Sequence, residues 1–381
     1  MNGEIVYEGI DTSIQSLGVP TIDSPLLATS RCVEEHERVI IDTSLAAIEA
    51  SLRENREIPS FERAGPRKKI FFDPSKTKCG IVTCGGLCPG INDVIRGIVH
   101  ELYYMYGVEI IYGIPYGLQG FIPRYRHSFI DLTPSFVENI HGLGGTVLGS
   151  SRGSQDIGEI VDAIERVNLN IVFFIGGDGT LKAASAVARE ILSREYTCSV
   201  IAIPKTIDND ISFVSQTFGF DTAVEEAGKV IRCAHVESRG APYGVGLVKL
   251  MGRDSGFIAA NAALACREAN FVLVPEEDFD LEGDKGLLAT LERRLKARGH
   301  AVIVVAEGAG QKFFDGLPKQ TDLSGNVKKG DIGLFLKEKI EEYFSARSYQ
   351  VNLKYIDPSY VIRSVVANSS DSIFCGFLAQ M

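Results

Sequence analysis

From Ile70 onward one texture repeats. A short β-branched apolar run ends in a glycine-rich or polar loop, and apolar positions at helical spacing follow. Residues 81–83 lead into Cys84-Gly-Gly-Leu-Cys-Pro-Gly90, and the spacing then predicts a helix over 91–106. Residues 171–175 end in Gly176-Gly-Asp-Gly-Thr180 before a helix over 181–192, and 199–203 end in Pro204-Lys-Thr-Ile-Asp-Asn-Asp210. Residues 243–250 end in Met251-Gly-Arg-Asp-Ser-Gly256, 271–274 in Pro275-Glu276, and 301–306 in Glu307-Gly308. Strand, loop and helix in alternation predict an α/β fold with parallel sheets and helices on both faces. In such sheets ligands bind at the carboxyl ends of the strands, where these loops lie.

The flanking stretches read differently. Residues 1–68 form an N-terminal extension with little periodicity. Thr43 or Ser44 could cap a short helix with Leu45, Ile48 and Leu52 on one face, and the basic loop Arg63 to Lys69 reads as a solvated lead-in. Residues 309–330 are polar and rich in Gly and Lys, a loop. Asp331 can cap a helix that carries Ile332, Phe335, Leu336, Ile340 and Phe344.

Composition narrows the class. A chain of 381 residues suggests two domains or one elaborated domain, at about 150 residues each. No apolar run reaches the roughly 18 to 20 residues of a membrane helix; the longest candidate, over 257–265, stops at Arg267 and Glu268. With 39 Lys and Arg against 49 Asp and Glu, the net charge of −10 argues against nucleic acid and against anionic membranes as partners. The N-terminus, Met1-Asn-Gly-Glu4, has no apolar signal core, and the eight cysteines form no framework, so reduced thiols and a cytoplasmic location are expected. Cys79, Cys84 and Cys88 lack the paired spacing of a zinc site.

The loops carry the chemistry. In Gly85-Gly86-Leu-Cys-Pro-Gly90 the glycines could bring backbone N–H groups to an anion at a helix start, or simply make a tight turn. The loop is neither G-x-G-x-x-G nor the Walker pattern, which counts against a nicotinamide-dependent dehydrogenase. Asp178, between glycines, could hold a cation while N–H groups take phosphate oxygens, or could cap the next helix. The stretch 204–210 sets Lys205, Thr206, Asp208 and Asp210 within seven residues: a carboxylate can deprotonate an alcohol while Lys205 neutralises phosphate charge, or the stretch is an Asx-rich turn. Arg253 in Met251-Gly252-Arg253, Arg152 in Gly149-Ser-Ser-Arg-Gly153, and Tyr360 with Arg363 add basic groups suited to phosphates.

Taken together and in order, these loops resemble the phosphofructokinase family. The carriers are the stretch over 81–97, Gly-Gly-Asp-Gly-Thr at 176–180, Pro-Lys-Thr-Ile-Asp-Asn-Asp at 204–210, Phe-Gly-Phe-Asp-Thr-Ala-Val at 218–224 and Met-Gly-Arg-Asp-Ser-Gly at 251–256. The resemblance runs from about Arg63 to the last residue and is greatest with the plant-like ATP-dependent subgroup. It implies two Rossmann-like lobes: a phosphoryl-donor lobe over 69–205 and a sugar-phosphate lobe over 206–381.

The implied reaction is phosphorylation of fructose 6-phosphate at its 1-hydroxyl, with Mg²⁺, in a homo-oligomer, dimer or tetramer. The resemblance makes Asp208 the base, with Thr206, Lys205 and Arg152 beside the transferred group. Gly86, Arg152, Gly177, Asp178, Gly179 and Thr180 would hold the donor, and Asp178 and Asp210 the metal. Thr206, Asp208, Met251, Gly252, Arg253, Glu276, Lys354, Tyr360 and Arg363 would hold the sugar phosphate. Gly179 favours ATP as donor, whereas Lys205 also occurs in pyrophosphate users. Three departures stand out: Ala183 replaces a usual Gly, Gly244 replaces an Arg of bacterial members, and the chain stops soon after Arg363. That last departure predicts a shortened sugar lobe, possible loss of catalysis, and uncovered apolar surface over 373–378.

Overall fold

The computed structural model describes residues 11–28, 32–316 and 329–381. Two parallel sheets organise it. The first has five strands: β1 (Lys78–Thr83), β2 (Ile110–Ile114), β3 (Ile130–Asp131), β4 (Ile171–Gly176) and β5 (Ser199–Pro204). Their order is β3-β2-β1-β4-β5, all parallel except β3 against β2. The second has four: β6 (Gly244–Leu250), β7 (Phe271–Leu273), β8 (His300–Ala306) and β9 (Asn352–Ile356), in the parallel order β7-β8-β6-β9. Strands covered on both faces read as unbroken apolar runs, and every residue of β8 after His300 is buried.

Helices cross between the strands: α1 (Ile91–His100), α2 (Ile157–Val167), α3 (Asp178–Ser193), α4 (Phe220–Arg239), α5 (Phe257–Cys266), α6 (Leu287–Arg298), α7 (Ile332–Ser345) and α8 (Ser369–Gln380). One apolar cluster joins the two sheets. It runs from Ile81 and Ile95 through Phe218, Phe220 and Ile231 to Val248, Ile258 and Cys375. The lobes therefore share a core, and α4 lies at its centre.

The elements differ from the sequence reading in five places. The helix expected over 91–106 is α-helical only to His100. Residues Glu101–Tyr106 widen into a π-helix that ends at Gly107, which has φ +76°. α3 begins at Asp178, not Leu181, because Gly177 takes the extended cap conformation and its carbonyl accepts from the N–H groups of Thr180 and Leu181. Asp178 is thus inside the first turn and is not the cap.

The helix Leu45–Arg53 forms, with the Ser44 hydroxyl accepting from the Ala47 N–H, yet Leu45 and Leu52 point to solvent. The expected apolar face is not buried there. The extension also contains two antiparallel pairs that the sequence did not announce, Ile22–Asp23 with Lys69–Ile70 and Arg38–Ile40 with Ser60–Glu62. Its basic loop is tied by ion pairs: Arg63 to Glu37, Arg67 to Glu62, Lys68 to Glu34 and Lys69 to Asp23. Residues 317–328 of the expected 309–330 loop lie outside the described residues.

Finally, β9 and α8 were not expected from the sequence. α8 packs Cys375 and Leu378 onto the shared core beside α1, while Ile373 and Phe377 stay exposed. The apolar stretch 373–378 is therefore half covered by the protein itself.

Candidate active site

The glycine-rich loop, the acidic loop and the Arg152 loop meet at the carboxyl end of the first sheet. The Cys84 N–H donates to the Ile175 carbonyl (2.9 Å) and the Gly85 N–H to the Ser151 carbonyl (3.3 Å). The Ser150 hydroxyl donates to the Gly85 carbonyl (2.7 Å), and the Lys205 N–H to the Gly176 carbonyl (3.0 Å). These bonds bring Gly86, Arg152, Gly177 and Lys205, far apart in sequence, to one rim.

Lys205 binds that rim from below. Only 4% of it is exposed, and its ammonium donates to the Gly86 carbonyl. Burial pushes its pKa below the usual lysine value. A buried ammonium 119 residues from the loop it holds fixes the loop's distance from the Asp208 segment.

Asp208 sits on a short, internally bonded turn. Its N–H donates to the Thr206 hydroxyl (3.0 Å), whose own proton goes to Asp210 (3.2 Å). The Ser255 hydroxyl donates to the Asp208 carbonyl (3.0 Å) and ties this turn to the Met251–Gly256 loop of the second sheet. Burial raises the Asp208 carboxyl from 3.8 to about 7; the like charges of Asp210 and Glu307 add to this, and Arg363 and Arg253 oppose it.

The second sheet contributes the remaining basic groups. Gly252 has φ +141°, a conformation that favours glycine, and Arg253 follows at φ +46°. The Arg253 N–H donates to Glu307 (2.9 Å); its half-exposed side chain pairs with Asp254 (3.5 Å), and its charge acts on Asp208. Met251 packs on the shared core. Glu276 accepts from the Gly256 N–H (2.8 Å) at the start of α5, an acidic cap that shapes this loop. Arg363 is half-buried and stacks on the exposed Tyr360 ring at 4.5 Å; burial and the neighbouring Arg152 lower its pKa, and its buried Nε has no hydrogen-bond partner. A Cβ on Gly86 would come within 3.1 Å of the Arg363 Nη1. The arginine is thus aimed at the glycine-rich rim.

Two expected residues stand apart from this convergence. Asp178 is exposed in the first turn of α3 and pairs with Lys182 (2.8 Å), while Gly179 beside it is exposed and Thr180 is buried. Lys354 lies on β9 opposite Gly246, four residues before the end of β6, or about 13 Å along the strand. Among the described residues no group of three His, Cys, Asp or Glu is placed to hold a metal, and Cys79, Cys84 and Cys88 are buried free thiols.

The sequence reading missed Glu307 and Asn209. Glu307 orients Arg253, and Asn209, at φ +54°, accepts from the Thr217 N–H (2.8 Å) and closes the loop after Asp210. A Glu-Gly pair at a strand end was the available signal for the first.

The sequence pattern of the phosphofructokinase family, described as "Phosphofructokinase", matches residues 78–380. The chain belongs to this family. It is 49% identical over 99% of its length to the ATP-dependent 6-phosphofructokinase of Borreliella burgdorferi, of which it covers 86%. It is 50% identical over 84% of its length to ATP-dependent 6-phosphofructokinase 7 of Arabidopsis thaliana, of which it covers 66%. Its fold matches the pyrophosphate-dependent phosphofructokinase of Marinobacter aquaeolei with a TM-score of 0.65 at 18% identity, over 80% of this chain and 74% of that one. The α/β architecture of two parallel sheets is thus that of the phosphofructokinases.

Proposed function

We propose that this phosphofructokinase transfers the γ-phosphoryl group of ATP to the 1-hydroxyl of fructose 6-phosphate, giving fructose 1,6-bisphosphate and ADP, a step of glycolysis. One observation carries the chemistry: Asp208, a carboxyl raised to about 7, lies near Arg253 and Arg363 on a turn tied to the Met251–Gly256 loop. A base of that pKa is about half ionised near neutral pH, where it can both hold and accept a proton. In this reading the sugar hydroxyl gives its proton to Asp208 as its oxygen bonds to the γ-phosphorus, and the bond to ADP breaks.

The remaining work is positioning and charge neutralisation. Gly86, Gly177, Gly179 and Thr180 would present backbone to the donor at the N-terminus of α3, where helix N–H groups favour anions. Arg152 and Lys205 would offset phosphate charge, and Thr206 would contact the transferred group. Met251, Gly252, Arg253 and Glu276 would hold the sugar, and Tyr360 and Arg363 its 6-phosphate. Lys354 would join them on that phosphate, and the active form would be a homo-oligomer, dimer or tetramer.

Mg²⁺ bound with the donor would offset phosphate charge. Asp210, exposed and bonded to Thr206 beside Asp208, fits such an ion, whereas Asp178 would have to leave its ion pair with Lys182 to join it. A cytoplasmic enzyme agrees with eight free cysteines, and among the described residues no helix is long and apolar enough to cross a membrane.

ATP is preferred over pyrophosphate because relatives near 49% identity are named ATP-dependent, whereas the pyrophosphate-dependent match shares only the fold. Measuring fructose 1,6-bisphosphate with each donor in parallel tests this. ATP alone should support turnover. Product formed only with pyrophosphate would overturn the donor, and product with neither would overturn the reaction.

A further inference from the structure

The loop over 209–217 follows the Asp208 turn directly. Its neck is closed by Asn209, which accepts from the Thr217 N–H (2.8 Å) and hydroxyl (3.2 Å) and donates to the Ser215 carbonyl (3.4 Å). Its tip is Phe213, whose ring is 48% exposed and whose φ is +65°. An aromatic residue keeps that backbone conformation only where its surroundings hold it.

What meets Phe213 comes from the N-terminal extension. Phe61 lies on the antiparallel pair Arg38–Ile40 with Ser60–Glu62, opposite Val39. Its ring stands edge-on to that of Phe213, with centroids 6.1 Å apart and planes at 63°, a favourable aromatic geometry. The pair is itself fixed. Arg38 donates to the Ser60 hydroxyl (2.8 Å) and carbonyl (2.6 Å), and Arg63 and Arg67 form ion pairs with Glu37 and Glu62 at 2.6 Å. An antiparallel strand pair outside both sheets, held by these bonds, therefore packs on the tip of the loop that carries Asp210 at its base.

We infer that Phe61 is a positioning residue: by packing on Phe213 it holds the 209–217 loop and so sets Asp210 and Thr206 beside Asp208. The inference deepens the proposed phosphotransfer and rests on that reading for its kinetic arm. The contact links the extension to turnover without placing any of its side chains on substrate.

The test compares Phe61→Ala, Phe61→Leu, Phe213→Ala and the double alanine variant. Amide hydrogen exchange of the full chain, read without substrate, should speed up at least tenfold over 209–217 in Phe61→Ala and stay unchanged in β1, β4 and β8. Turnover should fall about five- to twentyfold, with KM for fructose 6-phosphate within twofold and the Mg²⁺ concentration for half-maximal rate raised. Phe61→Leu should restore most of both effects, and the double variant should be no worse than either single one, the mark of one shared contact. If Phe61→Ala opens its own strand pair, Phe213→Ala still removes the contact from the other side and must reproduce the loop exchange. Unchanged exchange over 209–217 in both single variants would overturn the inference, as would additive effects in the double variant. Absence of kinase activity in the wild-type protein would instead overturn the proposed reaction and leave the exchange result to decide the contact.

Discussion

Asp371 of α8 closes the start of α4 from about 150 residues away: its carboxylate accepts from the Gly219 N–H (2.8 Å), the Thr222 N–H (2.8 Å) and the Thr222 hydroxyl (2.5 Å) while wholly buried. Gly219, the cap residue of α4, has no side chain to do this. The last helix thus supplies the cap of the central one, and with it the anchor for residues 217–219 behind the Asp208 turn. Three donors aimed at one carboxyl require acceptors only, so the ionised form is the one this geometry holds, although burial pulls its pKa upward.

Removing the carboxyl leaves three buried donors without partners. Asp371→Ala should cost about 2 to 4 kcal/mol, the sum expected for a lost cap and unsatisfied buried groups. Asp371→Asn, which keeps one acceptor oxygen, should cost less. Urea unfolding followed by circular dichroism checks both values, and a loss below ~1 kcal/mol for the alanine variant would contradict the capping role.

Asp208 is expected to trade stability for turnover. Its folded pKa of about 7 exceeds the unfolded value near 3.8, so the folded chain binds the extra proton. The folded state therefore loses stability as pH rises from about 4 to about 7, and the loss is constant above that. Asp208→Asn abolishes this term. Turnover should fall about 10²- to 10⁴-fold. The variant should melt a few degrees above wild type at pH 8 and close to it near pH 4. Equal melting at both pH values would mean that the carboxyl is not strained by burial.

Legibility in the sequence followed burial. Residues 171–175 and 301–306 were readable as strands because parallel strands inside a sheet are apolar without interruption, and 199–203 shows the same apolar run although it forms an edge strand with Ile201 exposed. β9 was not, since Asn352 and Lys354 break the run on an edge strand. The site loops were visible through their glycines and acids. Their mutual geometry was not, because it depends on pairs such as Lys205 with Gly86 and Ser255 with Asp208, which local spacing does not encode. The strand pair that carries Phe61 escaped notice because isolated aromatics in a polar stretch have no period.

Glu307 should tune the base. Its carboxylate faces Asp208 closely enough to raise that pKa, and it also accepts from the Arg253 N–H. Glu307→Gln keeps an acceptor for Arg253 and deletes the charge. The acidic limb of kcat/KM should then move to lower pH by a fraction of a unit, with turnover at pH 8 little changed. A pH–rate series from 5.5 to 8.5 decides it, and a limb that stays put or moves upward would remove Glu307 from the electrostatics of the base.

Gly179 tests the donor. A Cβ built there meets nothing within 4 Å, and the backbone does not need φ above zero, so neither packing nor conformation of this chain demands glycine. Alanine should be accommodated in the first turn of α3 and stabilise the fold by about 0.4 to 1 kcal/mol through lower unfolded-state entropy. Any loss of activity in Gly179→Ala would then report on space used by the donor and not on damage to the fold. Gly179→Asp adds a carboxylate where polyphosphate oxygens are proposed to lie. It should raise KM for ATP about tenfold or more while leaving KM for fructose 6-phosphate within twofold. Unaltered ATP kinetics in both variants, with folding intact by thermal melting, would show that the donor phosphates do not pass over this turn.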